Sequence, residues 1–171
     1  GGWYFHRSRG SKMTTAVRWI IPALCVIGLG VAGYLAYVET QQVEAICGPV
    51  GDCNMVQQSE YARLFGILPI GVLGMLGYVV ILAAWFTSLK SKGSLADYGT
   101  LAMLAMTVIG TIFSVYLTFL EPFVIGATCA WCLTSAGIMT ALFLFSLEPG
   151  KQAFYSLHAR STFRKIRASR K

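Results

Sequence analysis

Two cysteine pairs carry the chemistry open to this chain. Cys47 and Cys53 flank a five-residue turn-rich stretch, and Cys129 and Cys132 enclose Ala130 and Trp131 at the mouth of a long apolar run. Cysteines three apart on the opening turn of a helix share a face and feel its positive end, which favours the thiolate and redox exchange. At about 1.5 Å of rise per residue, Cys132 is expected about 4.5 Å deeper than Cys129. Cys129 is then available to the loop pair and Cys132 to a lipid-soluble two-electron acceptor such as a quinone. A thiolate must attack a disulfide in line, so both pairs have to meet at one end of the fold.

The elements that must position them are membrane helices. The 171 residues are 56% hydrophobic and only 12% charged, too apolar for a soluble domain. Runs 19–38, 64–89, 98–120 and 122–147 carry no charged side chain. Each reaches the roughly 20 residues needed to cross a bilayer. The first run is longer than the apolar part of a secretory signal and lacks a clear cleavage site, so it is expected to remain as a helix. The expected fold is an all-α bundle of four transmembrane helices.

Charge orients the bundle. Arg7, Arg9, Lys12 and Arg18 precede the first run, Lys90 and Lys92 lie between the second and third, and seven lysines and arginines from Lys151 onward follow the fourth. Those segments, with both termini, are expected in the cytoplasm. The other two loops hold Glu39, Glu44, Asp52 and Glu60, and Glu121. Both cysteine pairs are then expected on the outer, periplasmic face of a multi-pass protein of the inner cell membrane, where disulfides persist. The net charge of +7 reads as topology signal and contact with anionic lipid, and no nucleic-acid partner is expected. Three segments result: a basic stretch 1–17, of which the part before Met13 reads as an extension, a membrane domain 18–147, and a basic tail 148–171, helical or disordered.

Residues 40–63 exceed what an antiparallel connection needs and read as a lid over the outer end, with a short interfacial helix over 54–61. Gly28, Gly30 and Gly33, and then Gly71, Gly74 and Gly77, supply faces for close helix contact. Cys25 reads as an inert core residue. A Cys₄ zinc shell fits poorly, because the five-residue gap exceeds the usual knuckle and the location is oxidising. The outer acids fall in loops, with no intramembrane carboxylate expected, and no phosphate loop or HExxH motif is present. A non-enzymatic scaffold stapled by two disulfides is the competing reading, though a bridge across one helical turn stabilises little.

Cys47-x₅-Cys53, the segment from Ser59 through Phe65 to Gly66 entering a helix, and Cys129-Ala-Trp-Cys132 opening the last helix together resemble the vitamin K epoxide reductase family, in its bacterial branch. The resemblance covers about 18–147. It implies a four-helix bundle around a quinone pocket, with ubiquinone or menaquinone as electron acceptor and no metal. Cys132 would be the quinone-proximal thiolate, Cys129 its resolving partner, and Cys47 and Cys53 the shuttle pair. Ser59 and Phe65 would contact the quinone, Ser59 by a hydroxyl hydrogen bond to a carbonyl oxygen unless that hydroxyl serves a turn. Many bacterial relatives carry a fused thioredoxin-like domain; here a basic tail follows, so a separate thioredoxin-like oxidoreductase on the outer face is the expected partner. Ala136 stands where vertebrate enzymes have a tyrosine, which favours quinone over epoxide reduction.

Overall fold

A computed structural model describes residues 14–49 and 51–169. Arg7, Arg9 and Lys12, with most of the N-terminal basic segment, lie outside the described residues. The charge-free runs become four helices long and apolar enough to cross a membrane: α1 (Thr15–Gln41), α3 (Ile70–Lys90), α4 (Ser94–Leu120, extended by a π-helical turn to Ile125) and α5 (Ala130–Ser169). A short α2 (Cys53–Gln57), a 3₁₀ turn (Glu60–Ala62) and a two-residue hairpin of β1 (Arg63–Leu64) and β2 (Leu68–Pro69) lie between α1 and α3. The chain is a multi-pass membrane bundle in which α1 packs on α3, α3 on α4, α4 on α5, and α5 back on α1.

In lipid, apolar surface alone does not drive helices together, so close approach and internal hydrogen bonds hold the bundle. Gly71 on α3 lies against the backbone of Leu35 and Ala36 on α1, where a Cβ would collide with main-chain atoms. Gly28 receives the ring of Tyr78, a fully buried side chain whose hydroxyl donates to the Ser135 carbonyl at 3.1 Å and lies 3.0 Å from Ser135 Oγ. Ile21, Cys25, Ile81, Met103 and Leu142 complete the core around that ring. Cys25 is fully buried there, remote in sequence and packing from the other four cysteines.

Two boundaries differ from the sequence reading, and the basic tail takes one of its two expected forms. The second helix does not open at Leu64: Phe65 and Gly66 adopt left-handed φ values of 54° and 72°, which turn the chain into the hairpin, and helix begins only after Pro69. A proline contributes no N–H to a helix and disfavours helical φ/ψ in the residue before it. The lid starts later than Thr40, because α1 continues to Gln41 and takes Glu39 into its last turn. The basic tail is helical, continuing α5 through Pro149 without a break at 148. Its first turns dock on the start of α4, where Ser156 donates to Asp97 Oδ2 at 2.7 Å and Arg160 lies 3.7 Å from the same carboxylate.

The contact at Gly71 has no room for compensation, since backbone faces it rather than a flexible side chain. Gly71→Val is expected to cost about 1–3 kcal/mol by overpacking. The check is the thermal midpoint of the purified protein in detergent, where Gly74→Ala, which meets only the Ala32 methyl at an ordinary 3.4 Å, serves as the mild control.

Candidate active site

The lid is tied down from both sides. Cys47 and Cys53 are joined in a disulfide, the intervening turn bringing their Cα atoms to 5.9 Å. Asp52 caps α2 by accepting from the Met55 amide at 3.1 Å, and Asn54 Oδ1 accepts from the Ala45 amide at 2.6 Å. Tyr34 of α1 accepts from the Ile46 amide at 2.8 Å, while the Trp131 indole donates to the Ile46 carbonyl at 2.9 Å. The rings of Tyr34 and Trp131 also pack 4.8 Å apart. Gly51 has φ +90° and touches the Thr128 carbonyl so closely that a Cβ has no space. These contacts place fully buried Cys53 and Cys129 in one cluster, with Cys47 and Cys132 packed against it.

Cys129 starts α5 rather than lying within it. Its carbonyl accepts from Leu133 N at 3.0 Å, and its sulfur accepts from the Cys132 amide at 3.3 Å, a thiol in the place of a capping hydroxyl. Unlike the lid pair, Cys129 and Cys132 are free thiols. Cys132 Sγ donates to Cys129 Sγ at 2.7 Å, and Gln57 Nε2 reaches both sulfurs, at 3.6 Å and 3.4 Å. Donation from the Cys132 thiol holds the Cys129 thiol below the ordinary thiol range; burial opposes this, and the Cys132 amide and Gln57 reinforce it. Of the two sulfurs, this hydrogen bond favours the thiolate at Cys129, beside the lid, whereas the family resemblance implied it at Cys132.

Cys132 faces the other way as well. It lines a cavity of about 410 Å³ whose walls are predominantly apolar faces of α3 and α4, among them Leu73, Met106 and Phe113. Leu76, Val80 and Ile109 line that cavity and are also exposed on the bundle surface, so it opens sideways between α3 and α4. A smaller chamber under the lid holds Gln57, Ser59 and Tyr61 and shares Glu39, Ile70, Leu117, Glu121 and Cys132 with the larger one. An apolar slot of this size with a few polar groups and a sulfur at one end fits a quinone ring.

Cys47, Cys53, Cys129 and Cys132 are brought together as their spacing requires. Ser59 lines the smaller chamber, but its hydroxyl donates to the Val56 carbonyl at 2.7 Å, the turn role that was its alternative. Phe65 stands apart: it is 91% exposed at the tip of the hairpin and lines neither chamber. Its left-handed backbone directs the chain around the turn and away from the bundle.

Three residues escaped the sequence reading. Gln57 is one turn beyond Cys53 on the same face of α2, a placement that follows only once α2 is known to start at Cys53. Glu39 and Glu121 were read as loop acids, yet they are 4% and 2% exposed. Glu39 Oε2 accepts from the Gly71 amide at 2.8 Å, and Glu121 Oε2 from the Cys129 amide at 2.9 Å. Both are carboxyls buried in the protein at the ends of candidate membrane-spanning helices, rather than exposed loop acids. The available signal was their position directly against an apolar run, Glu39 after Val38 and Glu121 between Leu120 and Pro122.

Comparison with known proteins agrees with this geometry. Residues 19–147 match the model of the vitamin K epoxide reductase family. Over 129 residues the chain is 30% identical to "Thiol-disulfide oxidoreductase LTO1" of Arabidopsis thaliana, an alignment covering 69% of this chain and 32% of that protein. The matched segment thus spans about a third of that relative's length. With its four membrane helices, its paired cysteines at one end of the bundle and a family match reaching from α1 into α5, the chain belongs to the vitamin K epoxide reductase family.

Proposed function

We infer that the protein is a quinone-linked thiol oxidoreductase, which accepts electrons from a thioredoxin-like partner through two cysteine pairs and drives disulfide formation in exported proteins. The observation that carries this reading is the double exposure of the Cys129–Cys132 dithiol, with Cys129 packed beside the lid disulfide and Cys132 lining an apolar cavity. The similarity to a thiol-disulfide oxidoreductase of Arabidopsis thaliana supports the thiol-disulfide half of the reaction. Family membership and the shape of the cavity support the quinone half.

The electron path balances in three exchanges. Two thiols of the partner reduce the Cys47–Cys53 disulfide and leave as a disulfide. The resulting lid dithiol reduces a Cys129–Cys132 disulfide, so the lid disulfide forms again. The Cys129–Cys132 dithiol then gives two electrons and two protons to the quinone. The distribution of basic and acidic loops favours both pairs on the outer face and both termini inside, in the inner cell membrane. Ubiquinone and menaquinone both present a ring and an isoprenoid tail suited to a lateral opening.

Cys132→Ala is expected to abolish quinone-dependent oxidation of a thioredoxin-like dithiol substrate. In the same variant Cys129 loses its resolving partner, so mass mapping should recover a bridge from Cys129 to Cys47 or Cys53. Retained activity overturns the role of Cys132, whereas a single fixed disulfide pattern under all redox conditions identifies a stapled scaffold. Adding Gly51→Val to Cys132→Ala lifts the lid from the Thr128 carbonyl and should lower the yield of that bridge about tenfold, since small misplacements of reacting groups are costly. Gln57→Leu removes an N–H donor from both sulfurs. At neutral pH, alkylation of Cys129 by iodoacetamide should slow by about three- to tenfold, as its thiol returns toward the ordinary range.

A further inference from the structure

The thiol-to-quinone step moves protons as well as electrons. When Cys129–SH and Cys132–SH become a disulfide, two S–H bonds break and one S–S bond forms. Two electrons enter the quinone ring, and two O–H bonds form on its oxygens to give the hydroquinone. The protons released by sulfur equal those needed by oxygen, so the step requires no other reactant, only a path. Water is a poor path in a slot whose walls are predominantly apolar. In the resting hydrogen bond the proton belongs to Cys132, the thiol that faces the cavity, so a base must take it before that sulfur reacts.

The geometry points to Glu121 and Glu39 as the proton carriers of this step, taking the thiol protons and passing them to the quinone oxygens. This assignment rests on the quinone-linked reading above. The two carboxyls come from different helices, the last turn of α1 and the turn ending α4, and converge with Cys132 on the wall where the two chambers meet. The Cys132 thiol lies beside the Glu121 carboxyl. Each carboxyl anchors Oε2 on a backbone amide, while Oε1 makes no hydrogen bond among the described residues. Neither takes part in the one ion pair found among those residues, that of Asp97 with Arg160. Arg63, on the exposed hairpin, attracts Glu39 only at longer range.

A second observation points into the same wall. Gln57 is 94% buried by its 6% exposure, and its Oε1 has no partner although its amide nitrogen is engaged by the two sulfurs. An unpaired buried acceptor is costly, and a donor that comes and goes during turnover relieves it. A protonated carboxyl or a hydroquinone hydroxyl is such a donor. Carboxyls buried in membrane proteins are expensive and mark proton pathways in other such proteins, and here two of them flank Cys132, which lines both chambers.

A purely anchoring role is met by glutamine, whose carbonyl still accepts from the Gly71 or Cys129 amide; proton transfer is not. In detergent, the reduced protein is mixed with decylubiquinone and single-turnover loss of the Cys129 and Cys132 thiols is followed. Glu121→Gln should slow this oxidation by about 100-fold, the scale of a lost general base, while decylubiquinone affinity changes less than about twofold. Glu39→Gln should slow it less, and Glu121→Asp should recover part of the rate. Without any quinone, N-ethylmaleimide should label Cys132 no more slowly in Glu121→Gln, because a negative charge that repels the thiolate is gone, so a slowing confined to the quinone step marks lost proton transfer rather than a damaged thiol. Wild-type turnover with an unslowed Glu121→Gln, Glu39→Gln double variant overturns the assignment while leaving the quinone-linked reading intact. A wild-type dithiol that decylubiquinone does not oxidise overturns both. If Glu121→Gln does not accumulate as folded protein, Glu39→Gln and Glu121→Asp carry the same comparison.

Discussion

The hydrogen bond from the Cys129 amide to the Glu121 carboxyl fixes where everything else in the site can be. The first amides of a helix have no intrahelical partner, and in a membrane no water replaces one cheaply. Glu121 satisfies that amide from the end of the preceding helix, eight residues earlier, and so holds the start of α5 against the end of α4. The π-helical turn and the left-handed Gly126 bring the chain around, with Ala127 N returning to the Glu121 carbonyl at 3.1 Å. One acidic residue thus binds through its side chain and its backbone, and the cysteine pair inherits its position from both.

That bond also sets the electrostatics. A thiolate at Cys129 and a carboxylate at Glu121 would compete for the same positive helix end, and repulsion from Glu121 acts against the Cys129 thiolate. The resting arrangement answers this with a hydrogen bond from the Cys132 thiol to the Cys129 sulfur and with the Gln57 amide across both sulfurs. Gln57 arrives on α2, the element that also carries Cys53, so the lid supplies both a cysteine that exchanges electrons with this pair and the donor that steadies its charge. Trp131, which the tetrad places between the cysteines, locks this arrangement by holding Ile46 and packing against the cysteine cluster.

Much of this was legible in the sequence where the constraint is one of composition. Runs without charge marked the four helices, since the cost of burying charge in lipid leaves few alternatives. The cysteine spacings marked both pairs and the offset between Cys129 and Cys132. What stayed hidden depends on backbone direction. Leu64 to Pro69 is as apolar as the helix that follows, and only the positive φ of Phe65 and Gly66 turns it into a hairpin, carrying Phe65 away from the cavity. Glu39 and Glu121 look like loop acids because polarity is read along the chain, whereas burial is decided by what packs across from it. Gln57 carries no motif at all, and its role follows from one turn of helix beyond Cys53. The continuation of α5 past Pro149 is a tertiary effect, secured by buried Asp97 on the facing helix.

The same contrast explains how an apolar slot hosts a reaction that moves charge. A carboxylate or thiolate held alone in such a place costs several kcal/mol, and two of them together would cost far more. The site avoids that by pairing every electron with a proton. Electrons enter and leave as dithiol and disulfide, both neutral, and a quinone and its hydroquinone are neutral as well. Net charge is therefore constant across the cycle when proton and electron travel together, and groups that exchange a proton at the sulfur keep it so. Side chains with fixed charge, such as lysine or arginine, would offer a permanent field instead and trap one intermediate. Among the described residues neither chamber is lined by one, while both are lined by glutamate. The membrane, by making isolated charge costly, selects titratable groups over permanent ones at the point where sulfur meets the cavity.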